Sequence, residues 1–463
     1  MTIPGSSSTE THVLQGRDPT DRADVASPTI CAKLVSLNKV DGRKEVLVLE
    51  INKPITIGRN PALCSYVLSD AFISGVHCKV YAVHSSTGNV IVSCQDLSTN
   101  GFTLNGHQVR RASVILMHGD VIQLPSSKSF QCVHMQSHAR EKTTIFDPTP
   151  PTQPSHKKVG NYIVTSHSLG SGSFATVHLA MDDTQHRQVA CKIIKAKNGK
   201  EVINLMKEVD ILAAVHHPNI SRVLDVEETD RFLHIFLELC TGGDLFTYIT
   251  SHTETEGRLC EGEAKYIMYQ LLKGLQYLHQ KEISHRDIKP ENVLLYAPGP
   301  YPRIQIADFG LARPRAAKST VTVCGTIPYL PPEGILALDS KELKYVGMPA
   351  DCWSAGIVLY IMISGAHPFD RNRPYSSSDY EYEPGSGSSA ASDIATKQRI
   401  VRGQVDFPSH IWSPLPAARS LVRGLLRYNY EVRLTTAMAL ESPWISCDLE
   451  ALEKAYRARV APN

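Results

Sequence analysis

His285-Arg286-Asp287-Ile288-Lys289-Pro290-Glu291-Asn292 sets a carboxylate, an ammonium group and a carboxamide close together in a turn-forming stretch. That combination suits phosphoryl transfer. A hydroxyl attacking a γ-phosphate needs a carboxylate to take its proton, and the migrating group needs positive charge beside it. Asp287 and Lys289 supply these. Asn292 would then hold a Mg²⁺ ion that Asp308, in Asp308-Phe309-Gly310, grips from the other side. Either triplet alone could occur in a surface loop. Their order and spacing, with the upstream segments below, point to a catalytic loop.

The chain has 463 residues, more than one hydrophobic core normally spans, so two or three domains are expected. A formal net charge of +2 gives no argument for nucleic acid or an anionic membrane as partner. Met1 to Ala26 is polar and lacks the apolar run of a signal peptide. No later stretch reads as long and apolar enough to span a bilayer. The 11 cysteines, an odd number with no Cys-x-x-Cys pair, argue against a disulfide framework or a structural zinc site and for a reducing compartment.

Composition divides the chain. Residues 1–30 have too few large apolar groups to offset ordering entropy and read as a disordered tail. Residues 31–136 carry short β-branched runs broken by turns, at Lys44 to Ile51, Cys78 to Val83, Val90 to Cys94 and Val121 to Leu124, which predicts an all-β sandwich. Pro148, Pro150, Pro151 and Pro154 hold a linker extended over 137–158. From 159 to 446 strands come first and helix-period segments come after them, at Glu263 to His279 and Asp351 to Met362, as in a two-lobed α+β domain. Arg371 to Asp393, poor in aliphatics, reads as a flexible insertion, and 447–463 as a tail with a short helix from Leu449 to Val460. The fold class is therefore multidomain, an all-β sandwich followed by a two-lobed α+β domain.

Within the sandwich stand Gly58-Arg59, Ser74-Gly75-Val76-His77 and Asp96-Leu97-Ser98-Thr99-Asn100-Gly101. Binding a phosphate takes a planar, permanently charged fork and hydroxyl or backbone donors at the end of a rigid sheet, roles that Arg59 and Ser74 suit. The three segments resemble the signature of forkhead-associated (FHA) domains. This resemblance implies recognition of phosphothreonine-containing proteins, with Thr99 lining the phosphothreonine site, Asn100 bonding the peptide main chain and His77 bracing the loop from inside. Phe102 departs from the pattern, which more often has Thr after the glycine. The preference beyond the phosphothreonine stays open.

Leu169-Gly170-Ser171-Gly172-Ser173-Phe174-Ala175-Thr176-Val177 is a glycine-rich hairpin in which missing side chains let backbone N–H groups approach phosphates. With Val189-Ala190-Cys191-Lys192 and the catalytic loop, it resembles the protein kinase pattern, although Ala175 stands where the third glycine usually is. The resemblance implies ATP and Mg²⁺ as cofactors. Lys192 would reach the α- and β-phosphates and pair with Glu208, Val177, Ala190 and Leu294 would sandwich the adenine, backbone groups of Glu238 and Cys240 would read its edge, and Asp244 would bond the ribose. Asp244 and Glu291 together favour protein substrates with an upstream Arg. Thr322 is the main candidate for activation-loop phosphorylation, docking on Arg286. Thr326, a second candidate for phosphorylation in that loop, also reads as the threonine that bonds Asp287 and Lys289. Glu333 is expected to pair with Arg433, and Asp351 to brace the catalytic loop from below.

An FHA domain followed by a calmodulin-kinase-group catalytic domain resembles the checkpoint serine/threonine kinases of DNA damage, replication stress or meiotic breaks. The same resemblance implies nuclear location, self-association through phosphothreonine, and phosphorylation of activation loops in trans. Thr152-Gln153 is the one exposed-looking priming dipeptide, and the short tail argues against Ca²⁺ control. A different class remains open: a phosphothreonine-binding scaffold whose kinase domain is degenerate.

Overall fold

Alternating burial builds the first unit. In β2 (Lys44–Glu50) the side chains of Leu47 and Leu49 are buried while Val46 and Val48 are only partly so, the period of a half-covered strand. The computed structural model describes residues 30–37, 44–85, 88–135, 156–171, 175–195, 206, 209, 212–229, 232–252, 255–308, 313–314, 326–339, 346–369 and 387–460. Before β2 comes β1 (Ile30–Leu37), and after it β3 (Ile55–Gly58), β4 (Tyr66–Val67), β5 (Cys78–His84), β6 (Val90–Asp96), β7 (Phe102–Leu104), β8 (His107–Val109), β9 (Ser113–Ile115), β10 (Val121–Gln123) and β11 (Ser129–His134). They form two sheets, ordered β2-β1-β11-β10-β7-β8 and β4-β3-β5-β6-β9. Leu34, Leu49, Ile57, Val80, Phe102, Ile122 and Phe130 fill one apolar cluster. All four strands expected from the sequence are present.

The second unit starts with a six-stranded sheet. Its strands are β12 (His156–Val159), β13 (Tyr162–Ser171), β14 (Ala175–Asp182), β15 (Arg187–Lys195), β16 (Val223–Thr229) and β17 (Phe232–Leu237), in the order β12-β13-β14-β15-β17-β16. β12 thus begins inside the stretch read as linker. Tyr162, Val164, Ala180, Val189, Cys191 and Phe236 make a small core on this sheet. Helices then dominate: α1 (Leu245–Thr250), α2 (Glu261–Gln280), α3 (Pro332–Asp339), α4 (Gly347–Ser364), α5 (Gly387–Arg402), α6 (Ser409–Trp412), α7 (Pro416–Leu425), α8 (Thr436–Leu440), α9 (Pro443–Ser446) and α10 (Leu449–Arg459). Two short antiparallel pairs, β18 (Ile283–Ser284) with β21 (Arg313–Pro314) and β19 (Val293–Leu295) with β20 (Ile304–Ile306), lie among them. A separate, larger cluster gathers around α2 and α4, so the domain has two lobes with their own cores.

Two expectations need correction. Gly347–Ser364 is long and apolar enough by length and composition to cross a membrane, against the reading that no stretch is; it carries the apolar run because 83% of it is buried within the helical lobe. Residues 387–393, read as part of a flexible insertion, are the first turns of α5, which small residues such as Ala390 and Ala391 allow without aliphatics. The rest of that insertion, nearly all of the N-terminal tail and most of the linker lie outside the described residues. The ten described cysteines are all free thiols.

Candidate functional site

The catalytic-loop residues are placed by one buried carboxylate. Asp351 on α4, fully buried, accepts the backbone N–H groups of His285 at 2.9 Å and Arg286 at 2.7 Å and meets His279 Nε2 at 2.9 Å. His285 is also buried; its Nδ1 accepts the Asp287 N–H at 3.3 Å, so Nε2 carries the proton and donates to the Ala307 carbonyl at 2.9 Å. Arg286 and Asp308 take left-handed φ values of 71° and 62°, conformations that non-glycine residues hold only when neighbours impose them.

Four donors converge on Asp287. Oδ1 accepts from the Thr326 backbone N–H at 3.0 Å and hydroxyl at 2.8 Å, while Oδ2 accepts from Asn292 Nδ2 at 2.9 Å and meets Lys289 Nζ at 3.1 Å. Lys289 Nζ also donates to Thr326 Oγ1 at 2.8 Å. The hydroxyl is therefore fully engaged, giving one hydrogen and accepting another. Asn292 spends its second amide hydrogen on the Asp287 carbonyl at 2.8 Å, which leaves its own Oδ1 to accept or coordinate. Lys192, on β15, reaches Asp308 Oδ1 at 2.6 Å.

Asp308 and Asn292 offer hard oxygen donors, and no group of three or more His, Cys, Asp or Glu side chains able to hold a metal occurs among the described residues. A cation here would take one or two ligands from the chain and the rest from phosphate and water, which is how Mg²⁺ binds with a nucleotide. Gly170 fits the same purpose. A Cβ there would meet nothing within 4 Å, so the fold does not need glycine at that position, whereas a closely approaching ligand would. Leu169 and Ser171 flank it on β13, paired with β14, which carries Val177. Ala190 lies on β15 opposite Leu237, and Leu294 on β19 opposite Gln305. The segment Glu238 to Gly243 is tied to the helical lobe by Thr241 and Gly242 N–H groups donating to the Tyr296 and Leu295 carbonyls at 3.1 and 3.0 Å.

Asp244 and Glu291 differ from each other in what they have left to offer. Asp244 caps α1, its Oδ1 accepting from Thr247 N and Oγ1, both at 2.8 Å. Glu291 Oε2 is buried with no hydrogen-bond partner. Burial pushes its pKa up to about 7, with the charges of Asp244 and Asp287 adding to the shift. Glu333 on α3 forms the fork-to-fork pair with Arg433, at 2.8 and 2.9 Å. Glu208, Gly172 and Thr322 lie outside the described residues. The sequence reading passes over Gln305 and Arg303, which lie behind Glu238; only a polar residue between two core isoleucines, Ile304 and Ile306, marks the first.

In the first unit the residues expected to meet a phosphopeptide lie on loops that bond to one another. The Arg59 N–H donates to the Ser74 carbonyl at 2.9 Å, and Ser74 Oγ accepts the Thr99 N–H at 3.2 Å. Asn100 Nδ2 donates to the Phe72 carbonyl at 2.9 Å, tying its loop to the one that carries Ser74. His77, fully buried, accepts the Ser74 N–H on Nδ1 at 3.2 Å and so donates from Nε2 to the Gly101 carbonyl at 3.0 Å. Arg59 is exposed, and its guanidinium pairs with no carboxylate among the described residues. Gly58 and Gly101 are sterically required: a Cβ would stand 2.4 Å from the Gly75 carbonyl oxygen in the first case and 2.3 Å from that of Val109 in the second. Phe102 is buried in the sandwich core.

Comparison with known proteins shows the family. Residues 163–445 match the protein kinase domain model and residues 55–125 the FHA domain model. Over 432 residues the chain is 31% identical to "Probable serine/threonine-protein kinase fhkC" of Dictyostelium discoideum, covering 92% of this chain and 66% of that protein. It is 31% identical to the meiosis-specific serine/threonine-protein kinase mek1 of Schizosaccharomyces pombe over 89% of this chain and 86% of that one. To the serine/threonine-protein kinase cds1 of the same yeast it is 30% identical, over 91% and 88%. A phosphopeptide-type sandwich joined to a bilobal phosphotransferase domain is the class that fold and site define. The chain belongs to the protein kinase family, among its FHA-containing serine/threonine kinases.

Proposed function

We propose that the protein transfers the γ-phosphoryl group of ATP to serine or threonine hydroxyls of protein substrates. Asp287 orients the acceptor hydroxyl and takes its proton as the new P–O bond forms and the bond to the β-phosphate bridging oxygen breaks. Lys289, pinned between Asp287 and Thr326, places positive charge beside the migrating group. Asn292 and Asp308 would hold Mg²⁺, which would neutralise phosphate charge, and Lys192 would reach the α- and β-phosphates from β15. Glu291, partly buried with one enclosed and unpartnered oxygen, supports a preference for a cationic side chain in the substrate.

FHA recognition of phosphothreonine recruits the protein or pairs two copies, and activation loops are then phosphorylated in trans at Thr322. Because the Thr326 hydroxyl is spent on Asp287 and Lys289, it serves substrate alignment in this conformation rather than phosphorylation. The kinship to the meiosis-specific kinase mek1 and to cds1 supports a role in a meiotic, replication or DNA-damage checkpoint; a nuclear location is proposed with it, on the family resemblance alone.

The convergence of Lys289, Asn292 and Thr326 on Asp287 carries the proposal. Asp287→Asn should lose peptide phosphorylation by about three orders of magnitude while retaining ATP binding and the parent melting temperature. Undiminished turnover in that variant defeats it. For the FHA unit, Arg59→Ala should abolish binding of a phosphothreonine peptide by calorimetry, and unchanged affinity removes that assignment.

A further inference from the structure

Behind Glu238 and Cys240 sits a side chain that neither motif includes. Gln305, the middle residue of β20, is fully buried, and its flanking residues Ile304 and Ile306 are also fully buried. A carboxamide with no exposure must find partners or cost the fold dearly. It finds both on the segment that joins the lobes. Gln305 Nε2 donates to Glu238 Oε2 at 2.5 Å, and Gln305 Oε1 accepts from the Cys240 thiol at 3.2 Å. The amide's orientation is fixed by chemistry, because a carboxylate only accepts and Cys240, whose pKa burial pushes far above the ordinary thiol range, stays protonated and donates. Glu238 is held from a second side by Arg303, whose Nη2 lies 3.6 Å from Oε2 and whose Nε and Nη2 both donate to the Pro218 carbonyl, at 3.1 and 3.0 Å. The Arg303 guanidinium lies over the Tyr296 ring at 4.4 Å.

One planar group therefore spans residues i and i+2 of the interlobe segment, the two whose backbone groups are expected from the kinase resemblance to read the adenine edge. The Glu238 N–H is already spent on the Arg222 carbonyl at 3.0 Å. Gln305 also pairs in register with Leu294, the expected floor of the purine site. A rigid unit thus links the floor and the edge.

We propose that Gln305 is a positioning residue for the nucleotide, fixing the distance between the Glu238 carbonyl and the Cys240 N–H so that both meet one purine ring. This rests on the reading that the cleft holds ATP. Binding strength for a planar ring with an adjacent donor and acceptor depends on that spacing, and a segment free to rock by about half an ångström loses one bond or the other. Gln305 touches no reacting atom. Its loss should weaken nucleotide capture without slowing the chemical step.

The test uses the full chain with Gln305→Met and, separately, Cys240→Ala, each assayed with a peptide substrate against ATP and against the purine riboside triphosphate that lacks the exocyclic amine. Gln305→Met should raise KM for ATP about tenfold with kcat changed by less than about twofold, and should erase most of the parent's preference for ATP over the amine-free analogue. Cys240→Ala removes one arm and should show the same loss of preference to a smaller degree. A fall in kcat or thermal stability with KM and preference unchanged makes Gln305 merely structural and overturns the proposal. If Gln305→Met does not fold, an unaltered preference in Cys240→Ala overturns it equally. Failure of the unsubstituted protein to bind either triphosphate is a different result, and removes the nucleotide reading itself.

Discussion

Replacing Glu333 with Gln changes almost no volume, yet it should loosen the helical lobe severely. All five N–H groups of Arg433 are used: Nη1 on Glu333 Oε1 and the Pro349 carbonyl, Nη2 on Glu333 Oε2 and the Tyr428 carbonyl, Nε on the Arg427 carbonyl. Its guanidinium also lies 5.0 Å from the Trp353 ring. The side chains are 0% and 12% exposed, so the solvent screening that leaves surface pairs worth under about 1 kcal/mol does not operate. Removing one member of such a pair strands the other, at about 3–5 kcal/mol. Glu333→Gln and Arg433→Met should each lose that much, and the double variant clearly less than the sum, since no buried charge is left unpaired. Urea unfolding followed by tryptophan fluorescence reads this lobe alone, because the chain's 3 tryptophans, Trp353, Trp412 and Trp444, are all buried in its core. Two single variants within about 1 kcal/mol of the parent would show that the pair behaves as a surface contact and refute the reasoning.

Thr326→Val keeps the shape and removes the hydroxyl between Lys289 and Asp287, so kcat/KM for a peptide should fall at least about tenfold with ATP affinity unchanged; equal activity would mean the bridge is idle. Burial holds the pKa of His77 below the usual histidine value. The unfolded chain then binds a proton near pH 6.5 that the folded FHA unit refuses, so its stability is full above that pH and is lost as pH falls toward the lowered folded value. Calorimetry of the full chain at decreasing pH should show the FHA transition dropping, and a neutral His77→Gln variant should flatten that dependence. For Glu291 the sign is opposite. Its folded pKa of about 7 exceeds the unfolded value, so ionising it costs the folded state stability as pH rises from about 4.5 through 7, and Glu291→Gln should melt higher at about pH 8 than the parent. The same variant should lose the rise in affinity for an Arg-bearing peptide that the parent shows across neutral pH, and a parent profile without that rise would free Glu291 of the role.

Several features of the fold are legible in the sequence because they rest on local rules. Alternating β-branched runs mark the strands at Lys44, Cys78, Val90 and Val121, and the 3.6-residue period marks α2 and α4. The insertion is misleading where Gly387 to Asp393 has no aliphatic stripe to report a helix, and α4 has the length and apolar content of a membrane span while lying mostly buried in the core. The catalytic loop and the three FHA segments are legible because each motif keeps its chemistry within a few residues. That Thr326 stands between Asp287 and Lys289 is implied by resemblance, and the distances give it a physical form.

Sequence alone determined which groups were available as candidates: Asp287, Lys289, Asn292, Asp308 and Lys192 for phosphoryl transfer, and Arg59, Ser74 and Asn100 for a phosphate on a peptide. Only the tertiary structure decided what each group has left to give. It spends Asp244 on capping α1, leaves an oxygen of Glu291 unpartnered, and sets Gln305 against two residues about sixty-five positions away in the chain. The physical reason is that hydrogen bonds and burial act through space. A residue's type fixes its donors and acceptors, but only folding determines which of them are already used.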